Sequence, residues 1–225
     1  IEELDDRALL ALQGPVSETV LEMIAPGAAD LKFMSSGGFF ICGAECFITR
    51  SGYTGEDGFE ISMPSKMAEE IADTILRHEA TELIGLGARD SLRLEAGLCL
   101  YGQDINEITT PVEANLGWTV GKRRRKEGGF PGFEIIIRQL KDGVSGRRYG
   151  IRPDGRAPAR AGTEIFDLEG KKIGDISSGG FGPTVGAPIA MAYIDSRSIE
   201  IGSKVSVLVR DNLLPATIVG LPFIT

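Results

Sequence analysis

Histidine is almost absent from this sequence, which has one, His78, in 225 residues. Zinc and non-haem iron sites take most of their ligands from clusters of histidine and cysteine, so this scarcity argues against such a centre. It also leaves one candidate for a histidine-based catalytic triad. His78 follows a predicted helix, where a cationic side chain complements the helix dipole, and we expect it to have that structural role.

Cysteine is scarce as well. Cys42, Cys46 and Cys99 form an odd and small set, which argues against a disulfide framework and is typical of a reducing compartment. Cys42 and Cys46 lie on two neighbouring predicted strands. We expect buried strand thiols there rather than a metal or redox pair.

The sequence also lacks a long apolar helix. The longest stretch without a charged residue covers residues 176–194, which is long enough to cross a membrane. Glycine and proline recur throughout it, and both interrupt helices. We therefore expect no membrane span and a soluble protein.

What the sequence has in excess is glycine, with 30 residues, and negative charge, with a formal net charge of −8. The charge is unevenly distributed: residues 1–120 carry 7 Lys and Arg against 21 Asp and Glu, whereas residues 121–225 carry 17 against 11. This difference predicts two units with different surfaces. The glycines follow no collagen-like period and therefore belong to turns and close backbone approaches.

Periodicity predicts an α+β region followed by an all-β region. In the first, we expect helices over residues 17–23, 65–77 and 89–96, and strands over 39–42, 45–49 and 59–63. The glycine at position 43 and the alanine at 44 suit a type II′ turn between the first two strands. Beyond residue 146, strands over 163–166, 172–176, 204–209 and 216–219 predict a small barrel or sandwich. We place the domains at residues 1–145 and 146–225.

Two polar positions are candidates for chemistry. Phe59 and its alternate neighbours face one side of their strand, so Glu60 faces the other, either as a solvent-exposed carboxylate or as an acceptor of two parallel N–H bonds at a cleft. Arg89 and Arg93 share a helix face, and Asp90 can pair with Arg93. These residues form either a surface ion-pair lattice or a clamp for a carboxylate ligand.

Long segments in a fixed order resemble aminomethyltransferase, the T-protein of the glycine cleavage system. The matching segments are residues 13–15 (QGP), 50–61 (RSGYTGEDGFEI), 88–97 (ARDSLRLEAG), 100–105 (LYGQDI), 110–114 (TPVEA), 117–118 (GW), 174–179 (GDISSG) and 221–223 (LPF). The resemblance implies a folate-binding region with a ferredoxin-like lobe, followed by a C-terminal β-barrel. It also implies an enzyme that takes an aminomethyl group from the lipoylated H-protein, releases ammonia and forms 5,10-methylenetetrahydrofolate.

By this resemblance, five positions match the folate site of the family: Tyr53, Glu60, Arg89, Trp118 and Arg148. A carboxylate can accept the paired N–H donors of a pterin. The two aromatic residues offer flat faces to its rings, and the two arginines suit the carboxylates of the glutamate tail. The neighbouring Arg147 leaves a one-residue ambiguity.

The resemblance begins partway through the family's chain, and the catalytic aspartate of the family lies upstream of the matched part. We therefore expect no catalytic residue within these 225 residues and no turnover by them alone. The implied co-substrate is tetrahydrofolate, the implied partner is the lipoylated H-protein, and no metal is implied. The implied location is the bacterial cytoplasm or the mitochondrial matrix.

Two alternatives stay open. A non-enzymatic folate-binding relative would carry a Lys-Gly-Cys motif near Tyr53, where this sequence has Ser51, Gly52 and Thr54 instead. A sarcosine- or dimethylglycine-type demethylating module would follow a large flavin domain.

The basic residues 122–126 (KRRRK) lack interleaved aromatics on an acidic chain, so we do not expect nucleic-acid binding. They form either a solvated loop or a docking patch for an acidic carrier protein or a polyglutamylated folate tail.

Overall fold

The computed structural model describes residues 3–195 and 199–224 of the chain. Within these residues the chain forms two compact units: the first ends at Arg89 and the second begins at Asp90. The first contains helices and a sheet, and the second contains helices and a closed barrel. The α+β prediction is therefore confirmed.

The first unit is an antiparallel sheet with two helices. Its strands, in the order β1-β4-β3-β2, are β1 (Arg7–Gln13), β2 (Ser36–Ile41), β3 (Ala44–Thr49) and β4 (Gly58–Pro64). Its helices are α1 (Ser17–Ile24) and α2 (Ala68–Leu76), the latter preceded by a 3-10 turn at Ser65–Met67. The apolar residues 9–12 lie in β1, which pairs with β4.

The alternation predicted for β4 is confirmed. Phe59, Ile61 and Met63 are completely buried, and they pack in one hydrophobic cluster with the apolar faces of α1 and α2. Because successive strand residues point to opposite faces, Glu60 and Ser62 are excluded from that core. Burial of the odd-numbered positions therefore fixes the side on which Glu60 lies.

The hairpin between β2 and β3 differs from the predicted one in its turn. Cys42 and Gly43 are the turn residues, with φ angles of 51° and 73°, and Phe39 pairs with Cys46. Two successive positive φ angles are the mark of a type I′ turn, whose twist matches that of the flanking strands. The predicted type II′ turn at positions 43 and 44 was wrong by one residue.

The hairpin cysteines have different environments. Cys42 is exposed, whereas Cys46 is buried. Burial raises the pKa of the Cys46 thiol, and the same cause raises the pKa of Cys99. Because the thiolate is the nucleophilic form, the buried Cys46 and the half-buried Cys99 are poor nucleophiles at neutral pH. The expectation of a buried strand thiol is met at Cys46 and not at Cys42.

The second unit is built around a barrel that closes within the described residues. Its strands, in the order β10-β5-β8-β7-β6-β9, are β5 (Gly146–Pro153), β6 (Glu164–Phe166), β7 (Lys172–Gly182), β8 (Ala187–Asp195), β9 (Lys204–Val209) and β10 (Asn212–Val219). The predicted barrel is confirmed over the sandwich. The sequence prediction omitted β5 and β8 and ended β7 too early.

Three further α-helices are α3 (Leu86–Glu95), which crosses the division between the units, α4 (Lys122–Glu127) and α5 (Phe133–Asp142), and 3-10 turns lie at Ala28–Asp30 and Gly117–Thr119. The helix predicted over residues 89–96 therefore begins one turn earlier, and α5 was not predicted. The basic segment is a short helix between Gly121 and Gly128 rather than a loop. The domain boundary after residue 145 stays a prediction.

In the part of the chain that the structure describes, no helix combines the length and the apolar content needed to cross a bilayer. No group of three or more histidine, cysteine, aspartate or glutamate side chains in residues 3–195 and 199–224 is placed to hold a metal ion.

Candidate functional site

A cavity of about 520 Å³ lies in the first unit. Its size is within the range of small-molecule sites. The lining residues come from β1, the loop before β4, β4 itself, α2, the segment after α2 and the first turns of α3. They are Leu10, Ala11, Leu12, Gln13, Tyr53, Thr54, Glu60, Ala72, Ile75, Leu76, Ala80, Thr81, Glu82, Leu83, Ile84, Gly85, Leu86 and Arg89. Tyr53, Glu60 and Arg89, three of the five predicted site residues, therefore share one cavity.

Glu60 lies at the centre of β4, paired with Ala11 on one side and Thr49 on the other. Its Oε2 accepts a hydrogen bond of 2.8 Å from Ser51 Oγ. No other bond to its carboxylate is present in the described residues. A half-buried carboxylate held by one donor retains acceptor capacity for paired N–H groups of a ligand.

Tyr53 and Arg89 contact each other. The guanidinium carbon of Arg89 lies 5.3 Å from the centre of the Tyr53 ring, which is within the range of a cation–π contact. Arg89 lies in the first turns of α3 and is exposed. The pair adds a flat aromatic face and a positive charge to the cavity that Glu60 also lines.

The loop that carries Ser51 and Tyr53 is held by Gln13. Gln13 Nε2 donates to the Ser51 carbonyl (3.1 Å), and Gln13 Oε1 accepts from Thr54 Oγ1 (3.1 Å). A Cβ atom at Gly52 or Gly58 would overlap the Gln13 carboxamide. Two glycines therefore let the amide enter the loop, and the amide fixes the backbone on both sides of Tyr53.

Arg50 anchors the same loop from the other side. It donates to both carboxylate oxygens of Asp57, at 3.0 and 2.6 Å, and to the carbonyls of Ala29 and Leu31. It also pairs with Glu18. The hydrogen bonds from Arg50 hold the pKa of Asp57 below its ordinary value. Arg50 thus stabilises the loop rather than facing the cavity.

The other two predicted site residues belong to the second unit. Trp118 is 76% exposed on a 3-10 turn, and Arg125 donates to the Gly117 and Val120 carbonyls on either side of it (2.6 and 2.7 Å). Arg148 is only 3% exposed. Its Nε donates to the Ala114 carbonyl (2.9 Å) and its Nη1 to the Gly97 carbonyl (2.8 Å).

Comparison with known families accounts for the order of these elements. Residues 1–124 match the family described as the GCVT N-terminal domain, and residues 147–224 match the glycine cleavage T-protein C-terminal barrel domain. The chain belongs to the glycine cleavage T-protein family. The first of these matches contains Tyr53, Glu60, Arg89 and Trp118, and the second contains Arg148.

Individual relatives agree with this assignment. The mitochondrial aminomethyltransferase of Solanum tuberosum is 48% identical over 98% of this chain and 55% of its own length. That of Dictyostelium discoideum is 46% identical over 98% of this chain and 57% of its own length. The crystal structure of the glycine cleavage system aminomethyltransferase T from Bartonella henselae superposes with a TM-score of 0.88 and 44% identity, over 97% of this chain and 60% of that one.

This T-protein chain spans just over half the length of these curated relatives. Gln13 and Ser51 are cavity-loop residues that reasoning from the sequence did not single out. Gln13 stood within a matching segment, but its partners lie 38 or more positions away. The nearest signal was the pair Gly52 and Gly58, whose close approach to the Gln13 side chain was visible in the sequence only as an excess of glycine.

Proposed function

We propose that the protein carrying this chain is the tetrahydrofolate-dependent aminomethyltransferase of the glycine cleavage system. In the proposed reaction it takes the aminomethyl group from the lipoyl arm of the H-protein, releases ammonia and forms 5,10-methylenetetrahydrofolate. The observation that carries the proposal is the meeting of Glu60, Tyr53 and Arg89 in one cavity of a T-protein chain. The names of the relatives support the same activity.

In the proposed complex Glu60 binds the pterin. A pterin presents adjacent N–H donors, and a carboxylate accepts them as a parallel pair. Ser51 orients that carboxylate through its 2.8 Å hydrogen bond. Ala11, which pairs with Glu60 and faces the same side of the sheet, and the exposed Leu83 and Ile84 supply apolar surface for a flat ring in this cavity.

Tyr53 and Arg89 complete the binding site. Tyr53 offers a ring face for stacking, and Arg89 offers a guanidinium fork for a carboxylate of the folate tail. Because the guanidinium already lies over the Tyr53 ring, the two groups hold each other in place before the ligand binds. Such pre-organisation lowers the entropic cost of binding.

Trp118 and Arg148 take different parts in this proposal. Trp118, held out by Arg125, stays a predicted contact for a ring system of the ligand. Arg148 donates to two backbone carbonyls and is almost completely buried. We assign Arg148 the structural role of joining β5 to the segments at Gly97 and Ala114. We assign the proton chemistry to an aspartate of the whole protein, upstream of this chain.

The proposed partner is the lipoylated H-protein, and the proposed compartment is one that keeps thiols reduced. Cys42 and Cys46 form no disulfide in the described residues, which is typical of such compartments. The Solanum and Dictyostelium relatives are named as mitochondrial, and this supports the mitochondrial matrix. The bacterial cytoplasm meets the same redox requirement.

Titration of tetrahydrofolate into the protein by calorimetry tests the proposal. Glu60→Ala removes the acceptor of the paired N–H bonds, and we expect at least a tenfold loss of affinity, because a hydrogen bond to a charged group contributes roughly 1.5–3 kcal/mol. Glu56→Ala, an exposed carboxylate of the same loop, is the matched control and keeps wild-type affinity. Equal affinity of the two variants would overturn the assignment of Glu60.

The activity needs its own measurement in the whole protein. We expect formation of 5,10-methylenetetrahydrofolate from the aminomethylated H-protein to fall with Glu60→Ala and to stay with Glu56→Ala. Tetrahydrofolate binding without any transfer by the whole protein would favour the non-enzymatic folate-binding alternative instead.

A further inference from the structure

A second cavity, of about 600 Å³, lies on the barrel unit and is lined by three arginines. Arg156 and Arg160 come from the segment between β5 and β6, and Arg210 comes from the turn between β9 and β10. The other lining residues are Ala157, Pro158, Thr163, Leu208 and Val209. Among the described residues, no acidic side chain lines this cavity.

The three guanidinium groups make few hydrogen bonds and no ion pairs in the described residues. In the described part of the chain the guanidinium groups of Arg156 and Arg210 have no hydrogen-bond or ion-pair partner, and Arg160 donates one hydrogen bond, from Nη1 to the Gly179 carbonyl at 3.2 Å. Asp211 follows Arg210 but does not line the cavity. Like charges around one space repel each other, so this arrangement is electrostatically incomplete without an anion.

Both segments that carry the arginines are fixed in place. Ala159 is completely buried in the barrel core, and its carbonyl lies so close to Gly179 that a Cβ there would overlap it. The loop is therefore anchored between Arg156 and Arg160. On the other side Arg210 and Asp211 form a two-residue turn with φ angles of 48° and 64°.

The Arg210–Asp211 turn is unusual in its composition. A type I′ turn requires positive φ at both central residues and is ordinarily made of Asn-Gly or Asp-Gly. Here neither residue is glycine, and strained backbone of this kind is concentrated at binding and functional sites. The strain is balanced in part by the Asn212 Nδ2 bond to the Arg210 carbonyl (2.9 Å).

We propose that this cavity, the tri-arginine site, binds a small multivalent oxyanion. Phosphate and carboxylate groups share the chemistry that the site offers, because a guanidinium donates two parallel N–H bonds to either one. The apolar floor of Pro158, Leu208 and Val209 lowers the local dielectric and strengthens these bonds. The ligand therefore carries at least two neighbouring oxyanion groups, such as a diphosphate or a tricarboxylate.

Calorimetric titration of the full chain at low ionic strength tests the site, with inorganic pyrophosphate in one arm and citrate in the other. We expect binding of one anion per chain, weakened about tenfold by Arg156→Ala and by Arg210→Ala, since each removes one charge-assisted contact. The stronger of the two anions identifies the preferred oxyanion group. Arg210→Lys keeps the charge and loses the fork, so we expect intermediate affinity.

Arg152→Ala is the matched control, because Arg152 is an exposed barrel arginine outside the cavity. We expect it to bind pyrophosphate as the wild-type chain does. NMR shifts of the Val209 and Arg210 amides locate the anion independently of any variant. The proposal is overturned if neither anion binds, or if binding is equal in Arg152→Ala and Arg210→Ala while those amides do not shift.

Discussion

Gly52 and Gly58 let the Gln13 side chain enter the loop beside Glu60. Neither glycine has a positive φ angle, so the residue type is needed here for space and not for backbone freedom. The Gln13 amide then takes the place that a Cβ would fill and bonds to the loop on both sides of Tyr53. A hydrogen-bonded side chain inside a loop is what keeps a binding loop rigid.

We expect Gly52→Ala to destabilise the protein by about 1–3 kcal/mol, the range typical of overpacking, because the Gln13 amide must leave its partners to make room. Urea unfolding measures the change. Gly38→Ala, at a position with open space around the new Cβ, is the control and costs much less. In a Gln13→Ala background the effect of Gly52→Ala should shrink, and an undiminished cost there would contradict the clamp.

Asp57 gives the first unit a stability that depends on pH. Hydrogen bonds from Arg50 hold its pKa below the ordinary value of 3.8, so the folded state binds this proton less readily than the unfolded state does. The stabilisation is therefore present at neutral pH and is lost as the pH falls below 3.8 towards the lowered value. The side chain is 37% exposed, so we expect less than about 1 kcal/mol.

Unfolding free energies across acidic pH check this expectation for Asp57→Asn. Below pH 4 the free energy of unfolding should fall less steeply in this variant than in the wild-type protein. Asp73→Asn, on the exposed side of α2 and without an ion pair in the described residues, should follow the wild-type curve. Identical curves for Asp57→Asn and the wild type would show that the Arg50 contact does not contribute.

At the scale of elements, α3 has two halves with different tasks. Arg89 in its first half is exposed and lines the cavity, whereas Arg93, one turn later, is 2% exposed. Arg93 Nη1 donates to Asp104 Oδ2 (2.7 Å), and its Nη2 donates to Ser178 Oγ on β7 (3.0 Å). The predicted pairing of Asp90 with Arg93 is confirmed at 2.7 Å.

Asp104 is the centre of this buried network. It also accepts from Ser177, from Ser178 and from the Leu100 amide, while Tyr193 donates to its carbonyl (2.6 Å). Burial raises the pKa of the Tyr193 phenol, so the group stays a donor. A buried charge with every partner in place is costly to break, because the remaining partner stays desolvated.

We expect Asp104→Ala to destabilise the second unit by roughly 3–5 kcal/mol, because Arg93 loses its buried counter-charge and keeps only the exposed Asp90. Asp90→Ala removes the other carboxylate on Arg93, which is 58% exposed, and should cost less than about 1 kcal/mol. Thermal and urea unfolding compare the two variants. Similar losses of unfolding free energy in both variants would mean that the buried Arg93–Asp104 pair contributes no more than the exposed Arg93–Asp90 pair.

The short helix α4 shows where local patterns are insufficient. All of its residues are charged, so the sequence has no apolar stripe from which this helix could be predicted. In the structure Arg123 pairs with Glu127 one turn later (3.0 Å), and Arg125 reaches back to the preceding turn. Lys122, Arg124 and Lys126 have no ion pair in the described residues and form an exposed basic surface.

For the whole molecule, the division of charge matters more than its sum. Residues 1–120, which carry the negative charge, contain the cavity lined by Glu60, and residues 121–225, which carry the positive charge, contain α4 and the barrel. An unpaired basic surface on an acidic protein steers an acidic partner by charge complementarity. We propose that α4 is the docking surface for the carrier protein of the proposed function.

Charge reversal tests this docking in the whole protein. The triple variant Lys122→Glu, Arg124→Glu and Lys126→Glu should raise the apparent KM for the lipoylated carrier several-fold at low salt, with a smaller effect at high salt because ions screen exposed charges. The control Lys66→Glu, Arg77→Glu and Lys171→Glu changes the net charge equally at exposed sites elsewhere. Equal KM values for the two triple variants would leave α4 as a solvated surface.

Several features followed from the sequence by itself. Alternation of apolar residues fixed which face of β4 Glu60 occupies, and the spacing of apolar residues gave α2, because burial repeats with the period of the element. The long collinear segments gave the family and its C-terminal barrel, whereas the short strands between glycine turns left a barrel and a sandwich open.

Tertiary structure alone decided which long side chains meet partners that lie far away in the sequence. It buried Arg148 and Arg93 against carbonyls and a carboxylate, inserted Gln13 between two glycines and left Arg156, Arg160 and Arg210 around one cavity. The physical reason is reach. A sequence pattern reports which way a side chain points along its own element, but its charge is satisfied, or left unpaired, by groups that folding brings from distant positions.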